Sequence, residues 1–186
     1  MAIVFPNTFE EDLNGFDNVS GLKQLIYLAR KDWFQTIAKP ANDLNSPAFD
    51  PLADFVGTVE IRDSHIFKVG FGFLPIYVTF DKNSYDAEMP KGNDQSGSIH
   101  IVKGFMPSID LKKLALVRNC QNYKWIGLVE TIDGKFLQIG QQDLWADFIA
   151  KFGTQTTTGD IRGSEFTLKA FQVHPTIYSG TITRHP

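Results

Sequence analysis

Hydrophobic and polar residues alternate most regularly towards the end of the chain. Over residues 164–174, Phe166, Leu168, Ala170 and Gln172 fall on one face and Glu165, Thr167, Lys169, Phe171 and Val173 on the other, the two-residue period of a strand. The second face carries too many apolar residues to be plain solvent surface and too many charges to be plain core. Residues 125–140 have the pattern of a hairpin: two β-favouring runs flank Ile132-Asp133-Gly134-Lys135, with Asp-Gly at the turn, where a positive φ costs little.

Further strands are predicted over 22–28, 55–69, 71–81, 98–105 and 177–184. Leu22, Leu25, Ile26 and Ala29 also fit helical spacing, but the preceding Ser20-Gly21 and the β-branched and aromatic content favour a strand. Pro75 marks its run as an edge strand or a bulge, because proline cannot donate to a ladder.

One helix is predicted, over residues 109–119, or 108–119 with its cap. Ser108 is the expected cap, Asp110 lies in the first turn and Arg118 in the last, both matched to the helix dipole. Leu111, Leu114 and Val117 form its expected apolar stripe, with Lys112 and Lys113 facing away. Residues 142–152 read as a short helix or an irregular crossing that buries Trp145 and Phe148. The segments 39–54 and 81–97 hold too many Pro, Gly, Asn and Asp residues for regular elements and read as long loops. These elements predict a mainly β fold, a β-sandwich or barrel with one flanking helix. Residues 1–20 form an expected N-terminal arm, and 21–186 a single β-rich domain with loop insertions at 39–54 and 81–97.

With 186 residues the chain is long enough to bury a core without disulfides or metals. A net charge of −3 gives no general attraction for nucleic acid or an anionic membrane. One cysteine, Cys120, excludes an internal disulfide. It is placed just past the helix C-terminus, where the dipole would raise its pKa, and so is not expected to be a nucleophile. The first ten residues lack the basic and apolar blocks of a signal peptide, and no apolar run has the length of a bilayer span. Sixteen phenylalanines exceed ordinary usage; they are expected to fill a β-core and to supply subunit contacts.

Candidate chemistry is sparse. His65, His100, His174 and His185 lack the pairing of metal ligands, although His65 and His100 would meet if their strands were neighbours. Asp63-Ser64-His65 holds the residue types of a hydrolase triad, but a triad converges from separate elements and no Gly-x-Ser-x-Gly elbow is present. Gly70-Phe71-Gly72 and Gly92 precede no capped helix that would cradle a phosphate. Asp81, Asp86, Glu88 and Asp94 lack the spacing of a calcium loop. Trp33, Phe34 and Tyr85 are candidate aromatic platforms for sugars. No catalytic, cofactor-binding or metal-ligating set is therefore expected.

Three stretches resemble structural proteins of tailed bacteriophages, particularly tail-tube-like and head–tail virion proteins of Bacteroidetes phages. They are the Ser20-Gly-Leu-Lys-Gln-Leu-Ile-Tyr-Leu-Ala29 run and the passage from Leu114 through Trp125-Ile-Gly-Leu-Val-Glu-Thr-Ile-Asp-Gly134 to Leu137-Gln-Ile-Gly140. The third is the close, Gly153-Thr-Gln-Thr-Thr-Thr-Gly159, Ser164-Glu-Phe-Thr-Leu-Lys-Ala-Phe171 and Tyr178-Ser-Gly-Thr-Ile182. The resemblance spans about half the chain, and residues 34–97 depart from it. It implies a small sandwich or barrel that assembles into a homo-oligomeric ring, expected to be a hexamer, alongside neighbouring virion proteins. It further implies no enzymatic activity, no cofactor, no membrane, DNA that at most passes through a lumen, and a place in the virion after assembly in the host cytoplasm. The rival expectation is a monomeric carbohydrate-binding β-sandwich.

Overall fold

A computed structural model describes residues 21–43, 55–80, 82–88, 97–107, 110–153 and 163–186. The chain is mainly β, with one α-helix and no closed barrel, and its sheet doubles back into a sandwich-like arrangement. The strands are β1 (Leu22–Arg30), β2 (Phe34–Thr36), β3 (Glu60–Ile61), β4 (Ile66–Phe67), β5 (Leu74–Tyr77), β6 (Ser84–Glu88), β7 (Ser98–Pro107), β8 (Lys124–Thr131), β9 (Phe136–Ile139), β10 (Ala146–Gly153), β11 (Gly163–Gln172) and β12 (Thr176–Tyr178). Helix α1 is Leu111–Cys120.

One layer runs β5-β1-β8-β9-β12-β3, and a second runs β10-β11-β7-β6. They share strand β8: its middle pairs with β9, and its start pairs with β10 through Ala146 opposite Trp125. The chain makes this change of layer within residues 140–145. Gly140 there has φ +90, and a Cβ on it would lie 2.8 Å from the Trp125 carbonyl, so only glycine fits the corner.

The first layer is covered on both faces. Along β1, Ile26 and Leu28 enter the core between the layers, while Tyr27 and Ala29 enter a second core on the far side. Strand β8 does the same, with Trp125 and Val129 inward and Ile126 and Leu128 outward. Their continuous apolar runs thus reflect two-sided burial. The second core is closed by Phe34, Ile61, Phe73 and Tyr178, over which the C-terminal segment lies. Phe73 N–H donates to Thr183 O at 2.8 Å and His185 N–H to Phe73 O at 2.9 Å. Strand β11 shows the alternation expected of it: Phe166, Leu168, Ala170 and Gln172 are buried, and Glu165, Lys169, Phe171 and Val173 are exposed. The hairpin forms on Asp133-Gly134, with Gly134 at φ +85 and Thr131 N–H donating to Lys135 O. Strand β5 lies at the edge of its layer, as Pro75 requires.

Several expectations are corrected. Helix α1 starts at Leu111 with Asp110 as its cap, the carboxylate accepting from Lys113 N–H at 2.8 Å; Ser108 lies outside the described residues. A charged acceptor two residues nearer the helix satisfies the free N–H groups directly. The buried stripe is also displaced. Leu111 is 86 % exposed and Leu114 half-buried, whereas Val117 and Cys120 are buried and Leu116 packs on the core. Lys113 does not point away, because its Nζ bonds to Pro107 O.

Residues 142–152 form a turn and then strand β10, since β11 offers a continuous antiparallel ladder from Asp147 onward. The 55–69 region holds a 3-10 turn (Val56–Thr58) and two-residue strands instead of one strand. Within 81–97, residues Ser84–Glu88 form strand β6 on β7. The final strand, β12, is limited to Thr176–Tyr178. The expected arm over 1–20 and most of the 39–54 loop lie outside the described residues.

Candidate functional site

His65 and His100 are buried and hydrogen-bonded, whereas His174 and His185 are only partly buried. His65, on the turn before β4, is buried, and its Nδ1 accepts from Ala38 N–H at 3.0 Å. Nε2 therefore carries the proton and donates to Gln138 Oε1 at 3.0 Å. The ring stacks on Tyr178 at 4.6 Å, and Tyr178 Oη accepts from His65 N–H and donates to Thr181 O. Burial pushes the His65 pKa down to about 4, with the Gln138 hydrogen bond opposing it.

From Gln138 the network continues across the first layer. Gln138 Nε2 donates to Gly140 O, Gly140 N–H donates to Gln172 Oε1, and Gln172 Nε2 returns to Gln138 O. Gln172 faces Ser98 in the register of β7 and β11. Ser98 Oγ lies 2.5 Å from His100 Nε2, and Tyr85 Oη lies 2.7 Å from Nδ1 of the same ring. One ring nitrogen donates and the other accepts, so His100 is fully satisfied. Burial lowers the pKa of His100, and the nearby His174 lowers it further. Burial likewise pushes the Tyr85 phenol up to about 12.

Ser98, His100 and Tyr85 resemble a nucleophile relay in residue type alone. Ser98 and His100 are sealed between β6, β7 and β11, which leaves a substrate no approach to the hydroxyl. His65 and His100 do not meet. Ser64 Oγ accepts from Thr181 N–H, and both His65 ring nitrogens are taken by Ala38 and Gln138, so Asp63, Ser64 and His65 are not joined as a triad. Cys120 is the last residue of α1 and is buried; loss of hydration pushes its thiol up to about 12, with the nearby Arg30 charge opposing it. Gly70 sits in an open turn at φ +84, while Gly72 packs against the Arg184 backbone.

Asp86 and Glu88 lie on β6; Asp81, Gly92 and Asp94 lie outside the described residues. Among the described residues no group of three His, Cys, Asp or Glu side chains is placed to hold a metal ion. None of their helices is long and apolar enough to cross a membrane.

The aromatic platforms expected from sequence are occupied. Trp33 stacks on Phe71 at 5.4 Å and packs on His185, Phe34 is buried, and Tyr85 is bound to His100. A different aromatic, Trp145, stands half-buried on the wall of a surface groove. This groove has two lobes on either side of the Gln142–Asp143 turn. One lobe, of about 300 Å³, includes Lys39, Asp43, Gln141 and His174; the other, of about 270 Å³, includes Lys31, Gln35, Thr36 and Trp145. Gln141 and Leu144 exchange backbone hydrogen bonds across the turn, at 2.9 and 3.1 Å. Asp143 sits at φ 68, the one non-glycine residue with positive φ among those described. His174 Nε2 donates to Thr58 O at 2.7 Å, which directs Nδ1 towards Gln141. Sequence reasoning missed the groove because its walls come from four separate segments that carry no motif.

No family model matches the chain, and no curated protein or solved structure is significantly similar to it.

Proposed function

We propose that this chain is a structural, self-assembling virion subunit of a tailed bacteriophage, a ring-forming component of the tail tube or head–tail region without enzymatic activity. The observation that carries the reading is the open edge of the second layer. Strand β6 pairs with β7 on one side, and its other side has no strand partner among the described residues. Such an edge exposes a row of N–H and C=O groups that a neighbouring subunit satisfies by adding a strand.

A heterologous contact fits better than a two-fold one. Asp86 and Glu88 on β6 would face the same charges in an antiparallel pairing of two β6 strands, which is unfavourable. A contact with a different surface of the next copy avoids this and, when its rotation closes, makes a ring. Exposed apolar residues near the sheet ends, Tyr77, Phe80, Ile149 and Phe171, offer the apolar area such a contact needs. The sealing of His65 and His100 and the committed buried amides favour a scaffold over a catalyst. The resemblance of the strand and hairpin segments to phage tail proteins supplies the virion context.

Light scattering and negative-stain electron microscopy of the purified full chain test the proposal. Rings or short tubes are expected, stable to chelators because the contact is made by backbone pairing and apolar area. A chain that stays monomeric over all attainable concentrations, alone and with the neighbouring virion proteins, would count against it.

A further inference from the structure

The groove beside the Gln142–Asp143 turn has the features of a built recognition site. It is concave in two adjoining lobes of about 300 and 270 Å³, each large enough for one pyranose ring. Its charges balance, with Lys31 and Lys39 set against Asp43 and Asp143, so a strongly charged ligand finds no net field. Its polar groups are of both kinds: ammonium and amide N–H donors stand beside carboxylate and amide acceptors. The side chains of Gln35, Thr36, Lys39, Gln142 and Asp143 make no hydrogen bond or ion pair among the described residues.

Asp143 is the sharpest sign. The tight Gln141–Leu144 turn places this aspartate in the left-handed region at φ 68, which Asp tolerates in turns at a small cost that glycine would avoid. Here it sets the carboxylate on the ridge between the lobes. Trp145 supplies a flat apolar surface, now covered by Lys31, whose Nζ lies 5.0 Å from the ring centroid. Lys31 is exposed, and its ammonium stays hydrated when a ligand moves it off the ring.

We propose that this groove binds a neutral saccharide of one or two rings, with Trp145 against the C–H face of one ring and Asp143 and Gln142 bonding to its hydroxyls. Adjacent hydroxyls each donate and accept, which matches planar carboxylates and amides that can take paired bonds. An extended peptide is the less favoured occupant: it would be held mainly by backbone groups and would leave these free side chains unused. The inference concerns one face of a single chain and does not depend on assembly.

Amide and indole NMR signals of the full chain, titrated with methyl glucoside, methyl galactoside, N-acetylglucosamine and lactose, test it. The expected result is saturable shifts of the Trp145 indole N–H and the Gln142 side-chain amide with at least one sugar, at a Kd of roughly millimolar. Asp143→Gly keeps the positive φ and removes the carboxylate, so it should leave the thermal midpoint unchanged or raised while weakening binding ~10-fold or more. Trp145→Ala should abolish the indole signal and the binding with it. No saturable shift with any of the four sugars at tens of millimolar would overturn the proposal. So would binding that survives both substitutions, or shifts produced by an unrelated extended hexapeptide and not by the sugars.

Discussion

Acidification should destabilise the fold well before its carboxylates titrate, and His65 sets the scale. In the folded chain its pKa is about 4 against 6.5 for an ordinary histidine. Between these values the unfolded chain takes up a proton that the folded chain refuses. Stability is therefore complete above pH 6.5, falls as the pH drops below it, and stops falling from this source below about 4. The full loss is about 3 kcal/mol, of which about 2 kcal/mol is gone by pH 5. Geometry explains why the ring resists protonation: Nδ1 already accepts from Ala38 N–H, and a proton there would set two N–H groups against each other. His100 and His174 are shifted in the same direction and steepen the fall. Urea unfolding at pH 7, 6 and 5 measures the loss, and ring-proton NMR gives the His65 midpoint. A midpoint near 6.5, or flat stability between pH 7 and 5, would refute the burial argument.

Other perturbations address packing and capping. Gly104→Ala should cost about 1–3 kcal/mol in urea unfolding, because its Cβ would come within 2.6 Å of the buried Phe166 ring and 3.1 Å of Val78. Leu168→Ala, in the core between the layers, should cost about 2–5 kcal/mol, while Leu111→Ala on the exposed face of α1 should be near neutral. Comparable costs for the two would mean that α1 docks through Leu111 on another surface. Asp110→Ala should lower the urea midpoint by loss of the cap, and Asp110→Asn should recover most of it. EDTA should leave both the thermal midpoint and any assembly unchanged; dissociation by chelator alone would point to a cation site.

The alternation of β11, the Asp133-Gly134 hairpin, the edge character of Pro75 and the mainly β class were legible in the residues because each depends on nearest-neighbour chemistry: side-chain period, positive φ or a missing N–H. Sequence also placed the one helix between β7 and β8. It misread segments whose state depends on distant partners. Residues 142–152 end in a strand because β11 offers a ladder from Asp147 onward, and β6 forms in a polar segment because β7 lies beside it. The stripe of α1 turned because Trp125 anchors the last helical turn, its indole N–H donating to Cys120 O at 2.8 Å. The groove was hidden for the same reason, since residues 31–43, Ile61, 138–145 and 173–174 come together around the change of layer at Gly140. Period and turn chemistry are properties of a short stretch of chain. Burial, register and the sharing of a hydrogen bond between residues a hundred positions apart are properties of the packed whole.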